Sequence, residues 1–130
     1  MSEHTIRNKA IVERLVDEVL NGGNLDLIDQ LYTPELSPGA RAWIAPFRAS
    51  FPDVQMEIVE LIAEGNTVVG RFTCTATHTG TWHGHPPTGH RFNKIDEVNL
   101  YRFHNGLINE TWTLEDNLER LTQLGLLPTD

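Results

Sequence analysis

Near the C-terminal end, polar and aromatic residues recur at alternate positions: Glu97, Asn99 and Tyr101 in one run, then Glu110, Trp112 and Asp116 in the next. Alternate positions of an extended chain share a face. Between the runs stands Asn105-Gly106, a strong signal for a two-residue hairpin turn. Counting outward from that turn, Tyr101 faces Glu110, Asn99 faces Trp112, Glu97 faces Leu114, and Ile95 comes near Asp116. Three carboxylates on one sheet face need water or a polar pocket, and Trp112, Leu114 and Ile95 argue for the pocket. A carboxyl among apolar groups holds its proton more tightly, so it can take or give one near neutrality. The chemistry expected is therefore general acid–base chemistry. Asp116 has a structural use as well: Asp116-Asn117-Leu118-Glu119 spells a capping box for a following helix.

The stretch Thr77–Phe92 carries His78, Trp82, His83, His85 and His90, the pair Pro86-Pro87, and Gly80, Gly84 and Gly89. Proline stiffens such a loop, glycine permits positive φ, and a tryptophan needs cover. The segment reads as a structured lip over a pocket, with Trp82 as a ligand contact. His83-Gly84-His85 brings two imidazoles together, but no third ligand is fixed by a helix or strand, so no metal is expected. His78 ends a strand on its apolar side; it reads as a hydrogen-bonded structural histidine or as a pocket-lining one.

These groups are positioned by elements legible from periodicity. Ile11, Val12, Leu15, Val16, Val19 and Leu20 form one stripe of a helix over residues 5–21, stopped by Asn21-Gly22-Gly23. Asn24 can cap a short second helix with Leu25, Ile28 and Leu31 inward. Ser37-Pro38 opens a third, carrying Ala40, Trp43, Ile44, Phe47 and Phe51, with a kink or break expected at Pro46. Beyond Pro52-Asp53 the period becomes two, and its phase slips near Ile58, which predicts a β-bulge there. Glu64-Gly65-Asn66 is a turn. A long strand follows over 67–79, with Val68, Phe72, Cys74, Ala76 and His78 on one face. The hairpin 91–104/107–115 comes next, then a helix over 117–124 with Leu118, Leu121 and Leu124 apolar and Gly125 as its stop. Helices followed by a meander of four strands make an α+β layout.

With 130 residues, 39% hydrophobic and 22% charged, the chain is one domain's worth of ordinary globular composition. A net charge of −8 argues against nucleic acid and anionic membrane as partners. No apolar run reaches a membrane span, and the first residues lack the apolar core of a signal peptide. Cys74 is the sole cysteine. A cytoplasmic address is the expectation that follows.

Thr77-His78-Thr79-Gly80 and Gly84-His85-Pro86-Pro87-Thr88-Gly89 resemble the loop signature of the SnoaL-like polyketide cyclases, within the nuclear-transport-factor-2-like superfamily. Tyr101–Ile108, Asn109–Asp116 and Gln123-Leu124-Gly125 continue that resemblance. It implies a cone-shaped, curved antiparallel sheet wrapped around N-terminal helices, the cystatin-like α+β barrel. It implies a small hydrophobic carbonyl compound as substrate, ring closure by intramolecular aldol chemistry, and no cofactor. Asp116 falls on the family's acid/base aspartate, and Asn99 stands where the cyclases carry a histidine. Glu97, Tyr101, Glu110, Trp112, His78 and Trp82 are the expected substrate contacts. A non-catalytic ligand binder and a sibling hydrolase or hydroxylation factor are the alternatives. A hydrolase of this fold needs a carboxylate–arginine–carboxylate arrangement; Arg102 falls on the wrong face and Arg71 on the threonine-rich one. The outer face, with Val69, Thr73, Thr75, Val98, Leu100, Thr111 and Thr113, is too apolar for a solvated sheet and predicts a homodimer.

Overall fold

The computed structural model describes residues 2–127. The predicted first helix is present as α1 (Glu3–Arg14) and a π-wound continuation over Leu15–Asn21. Val12, Leu15, Val16, Val19 and Leu20 form its buried side. A single 3-10 turn (Leu25–Leu27) leads into the short α2 (Ile28–Leu31). The Asn24 side chain makes no capping bond. Helix α3 (Ser37–Ser50) begins one residue earlier than its sequence suggests, with Leu36 as the cap residue. Ser37 instead donates its hydroxyl to the Asp29 carboxylate, which holds that carboxyl below its usual range, with help from Arg41. The helix runs through Pro46 without a break.

Four strands follow, β1 (Gln55–Glu64), β2 (Thr67–Thr77), β3 (Arg91–His104) and β4 (Leu107–Glu115), then α4 (Asn117–Leu124). They form one antiparallel sheet in the order β1-β2-β3-β4. The bulge expected near Ile58 is there, between Ile58 and Glu60. The inner face of β2 buries Val68, Phe72, Cys74, Ala76 and His78, as its alternation requires. Against it pack Phe92, Ile95, Tyr101 and Phe103 of β3, with the N-terminal helices closing the core. Each sheet edge is engaged at one point. On β1, the Asn21 amide donates to Met56 O at 2.9 Å and accepts from Met56 N–H at 2.7 Å. On β4, Tyr32 bridges Ile108, and Thr33 N–H donates to Ile108 O at 2.9 Å.

The β3–β4 register differs from the one counted out from the turn. Asn105 and Gly106 adopt positive φ (51° and 78°), as an Asn-Gly turn needs. Next to the turn, however, Phe103 pairs with Ile108 while Arg102 pairs with Glu110, so Asn109 is an extra, bulged residue. One extra residue moves every later side chain of β4 to the other face. The true pairs are Tyr101 with Thr111, Asn99 with Thr113, and Glu97 with Glu115. Glu110, Trp112 and Leu114 therefore point outward and are exposed. Thr111, Thr113 and Glu115 take the inner face.

Candidate active site

Between α3, the inner face of the sheet and the loop after β2 lies a cavity of about 350 Å³. Leu20, Trp43, Phe47, Val54, Met56 and Trp82 supply its apolar wall, and Ser50, Thr81 and His83 its rim. Ala42 and Pro46 also line it. Proline has no N–H, so the Ala42 carbonyl, one helical turn earlier, lacks the usual backbone donor. Two carboxylates enter this wall, Glu97 and Glu115.

They are directly opposite across β3 and β4, an arrangement that is repulsive unless a cation joins it. The cation is Arg120, wholly buried. Its Nη2 donates to Glu97 Oε2 at 3.1 Å; its Nη1 donates to Glu115 Oε1 at 3.0 Å and to Asn117 Oδ1 at 2.6 Å. The guanidinium lies 4.9 Å from the Phe92 ring centroid and 5.9 Å from that of Phe47, within cation–π range. Burial, and behind it the Glu115 charge, push the Glu97 carboxyl up to about 7, against the pull of Arg120. Glu97 is 5% exposed, whereas the Glu115 side chain is 31% exposed. The pair thus consists of a nearly buried carboxyl held up near 7 and a half-buried one, and both line the cavity.

Arg120 and Glu115 were not singled out in the sequence. Helix α4 reads as apolar at Leu118, Leu121 and Leu124, yet Leu118 is 66% exposed while Arg120 and Leu124 are buried. The missed signal was Glu97 itself: a carboxylate on a strand face between Ile95 and Tyr101 demands a cation, and Arg120 is the one arginine just beyond the hairpin.

The other expected residues divide. Asp116 is exposed and caps α4, accepting from Glu119 N–H at 3.1 Å, and its own N–H donates to Asp96 O at 3.0 Å. It does not enter the cavity beside Asn99. Trp112 and Glu110 are on the outer face through the β4 bulge, Glu110 lying 3.5 Å from Arg102. Asn99 and Tyr101 are on the inner face and buried, with Asn99 Nδ2 donating to Tyr101 Oη at 3.2 Å. Burial raises the Tyr101 phenol, so it stays neutral.

Trp82 does line the cavity, packed edge-on against Phe51 with centroids 5.4 Å apart. A tight reversal presents it. Trp82 N–H donates to His85 O and His85 N–H returns to Trp82 O, while His83 and Gly84 between them have φ of 47° and 79°. The loop lies on the end of α3: Thr79 and Gly80 N–H both donate to Ser50 O, and Ser50 Oγ donates to Thr81 O at 2.6 Å. Gly80 is required there, since a Cβ would come within 2.5 Å of Ala49 O. His78 stands behind the wall. Its Nδ1 accepts from Thr88 N–H at 3.2 Å, and burial lowers its basicity. Among the described residues no group of three or more His, Cys, Asp or Glu comes together that could hold a metal ion, and no helix is long and apolar enough to cross a membrane.

The comparisons with known proteins agree with this architecture. The family model of the SnoaL-like polyketide cyclases matches residues 10–124. The chain is similar to AclR of Streptomyces galilaeus, a proposed hydroxylase, at 29% identity and a TM-score of 0.85, over 97% of this chain and 85% of that one. It is similar to IdmH of Streptomyces antibioticus, a proposed polyketide cyclase, at 25% identity and a TM-score of 0.79, over 91% and 98%. A proposed SnoaL-like polyketide cyclase from Jannaschia sp. CCS1 shares the fold at a TM-score of 0.89 and 24% identity, over 98% of both chains. No curated protein matches the chain significantly.

Proposed function

Because the chain belongs to the SnoaL-like polyketide cyclase family, we propose that it is a cofactor-independent acid–base enzyme acting on a small hydrophobic carbonyl compound, with Glu97 and Glu115 as its proton-handling pair. The observation that carries this reading is the shared guanidinium. Arg120 holds two carboxylates at the wall of an aromatic cavity, and their burial differs, Glu97 being 5% exposed and the Glu115 side chain 31%. Glu115, as carboxylate, takes a proton from the carbon beside the substrate carbonyl. The electron pair of that C–H bond becomes the enolate, whose carbon attacks a second carbonyl of the same molecule. Glu97, as the acid, delivers its proton to the alkoxide oxygen that results. Carboxyls tuned apart by their surroundings are how one site supplies both acid and base. Asp116 serves this site by starting α4, the helix that carries Arg120.

Solvent-deuterium exchange tests the first step. With 1-(2-naphthyl)propan-2-one in D2O, followed by NMR, the protein should accelerate exchange of the methylene protons. Glu115→Gln should abolish the acceleration, and Asp116→Asn should leave it intact. Exchange lost in Asp116→Asn alone would return the role to Asp116.

A second reading is a hydrolytic sibling, and the same triad favours it, because a carboxylate–arginine–carboxylate set can orient and deprotonate a water. Conversion of styrene oxide to its diol, sensitive to Glu97→Gln, would select it. We propose further that the chain forms a homodimer through the outer sheet face. There Ile62, Val69, Leu100 and Trp112 form one cross-strand row, with Val98 and Leu114 in the next. Ile62, Trp112 and Leu114 are each more than half exposed, a row of apolar side chains of the kind that marks an interaction surface. The bulge puts Trp112 and Leu114 on this face in place of Thr111 and Thr113.

A further inference from the structure

We infer that the substrate lies across two lobes and that Asn99 selects a hydrogen-bond donor, a hydroxyl or N–H, on the part lying in the second. This rests on the reading of the cavity as a substrate site. The second lobe is a more open groove of about 550 Å³ beside β4, lined by Trp43, Glu97, Asn99, Thr111, Thr113 and Asn117, among others. It shares Trp43, Glu97 and Glu115 with the first cavity. The carboxylate pair therefore stands at the junction, with the Trp43 ring as a common wall.

The lobes differ in kind. The first is built from Leu20, Phe47, Val54, Met56 and Trp82 and suits an apolar ring. The second offers hydroxyls and amides from residues paired across the sheet, Thr113 opposite Asn99 and Thr111 opposite Tyr101. At its floor Asn99 is only 6% exposed. Its Nδ2 is committed to Tyr101 Oη. Its Oδ1 has no hydrogen-bond partner among the described residues and is shut off from solvent. A buried acceptor left unpaired is costly, and a ligand that brings a donor recovers that cost. A carbonyl or ether oxygen placed there would face Oδ1 oxygen to oxygen. The substrate class that fits is an aromatic or fused-ring carbonyl compound that also carries a hydroxyl or amide N–H on the side of the reacting carbon away from the ring.

The test compares three probes of matched size by titration calorimetry: 1-(2-naphthyl)propan-2-ol, the ether 2-(2-methoxyethyl)naphthalene, and 1-(2-naphthyl)propan-2-one. The alcohol should bind roughly 5–10-fold more tightly than the ether and the ketone, the usual size of one net hydrogen bond. Asn99→Leu should erase that difference. The wild-type comparison needs no variant, so a folding failure of Asn99→Leu does not blunt it. Equal binding of alcohol and ketone overturns the inference. A preference for the ketone does so too, since it means that the amide is turned to present its N–H. Binding of none of the three also overturns it. Deuterium exchange into the ketone without an alcohol preference sinks the Asn99 inference alone. An alcohol preference without exchange sinks the acid–base reading and keeps the subsite.

Discussion

The two faces of the β3–β4 hairpin carry the same chemical groups and put them to opposite use. Outside, Arg102 and Glu110 lie 3.5 Å apart with side chains 52% and 60% exposed. Such a pair is worth about 0–1 kcal/mol and fades with salt. Inside, Arg120 joins Glu97 and Glu115 at 3.1 and 3.0 Å with the guanidinium wholly buried. Its charges have left water, so each depends on the others. The lesson is that carboxylates on a strand mean little until their face is known. One bulged residue, Asn109, decides it for the rest of β4.

The largest effect should come from breaking the inner set. Arg120→Met leaves the buried Glu97 and the half-buried Glu115 without their cation and should cost about 3–5 kcal/mol at pH 8, the usual penalty for orphaning a buried charge. Urea unfolding would measure it. The loss should shrink at pH 5, where the Glu97 carboxyl can take up a proton. Glu97→Gln comes next. It keeps shape and a hydrogen-bonding oxygen, so it should fold, while turnover falls by roughly 10²-fold or more.

A third prediction reads the inner set by pH. The folded-state pKa of Glu97 is raised to about 7 from 4.5. Its proton therefore stabilises the fold fully below pH 4.5, and that contribution is lost as the pH rises through 7. The melting temperature should decline between those values, and the decline should flatten in Glu97→Gln. Asp29 and Asp53, whose pKa values are lowered, act the other way, and their contribution goes only as the pH drops below about 4. Asp116→Ala, which removes a cap, should cost about 1 kcal/mol, while Asp116→Asn should cost little. Smallest of all, Glu110→Gln on the outer face should change stability by less than about 0.5 kcal/mol. On that same face, Trp112→Glu should convert the proposed dimer to monomer in light scattering. A monomer already in the wild type would refute the dimer.

What the sequence discloses follows from how local its signals are. The stripe of α1, the alternation of β2, the bulge near Ile58 and the Asn-Gly turn are written in neighbouring residues, and the structure agrees with each. The Asn109 bulge has no such mark: no glycine or proline stands there, and the slip becomes visible only in the pairing. Hence Trp112, inward by the count from the turn, lies outside, and Glu115 rather than Leu114 stands opposite Glu97. Arg120 was hidden for a different reason. A buried arginine in an amphipathic helix looks like part of the polar face until its partners, 23 and 5 residues away, are known.

Asn21 and the Tyr32–Thr33 segment occupy backbone groups that a sheet of four strands would otherwise leave bare at both margins. A sheet with open margins can be lengthened strand by strand into a polymer. Here one margin is stoppered at Met56 by a side-chain amide that imitates a peptide, and the other at Ile108 by main chain. Growth sideways is checked at both ends, which leaves the outer face as the surface for the proposed dimer. Asn21→Ala should therefore show itself first as fibre formation on storage, before any change at the cavity.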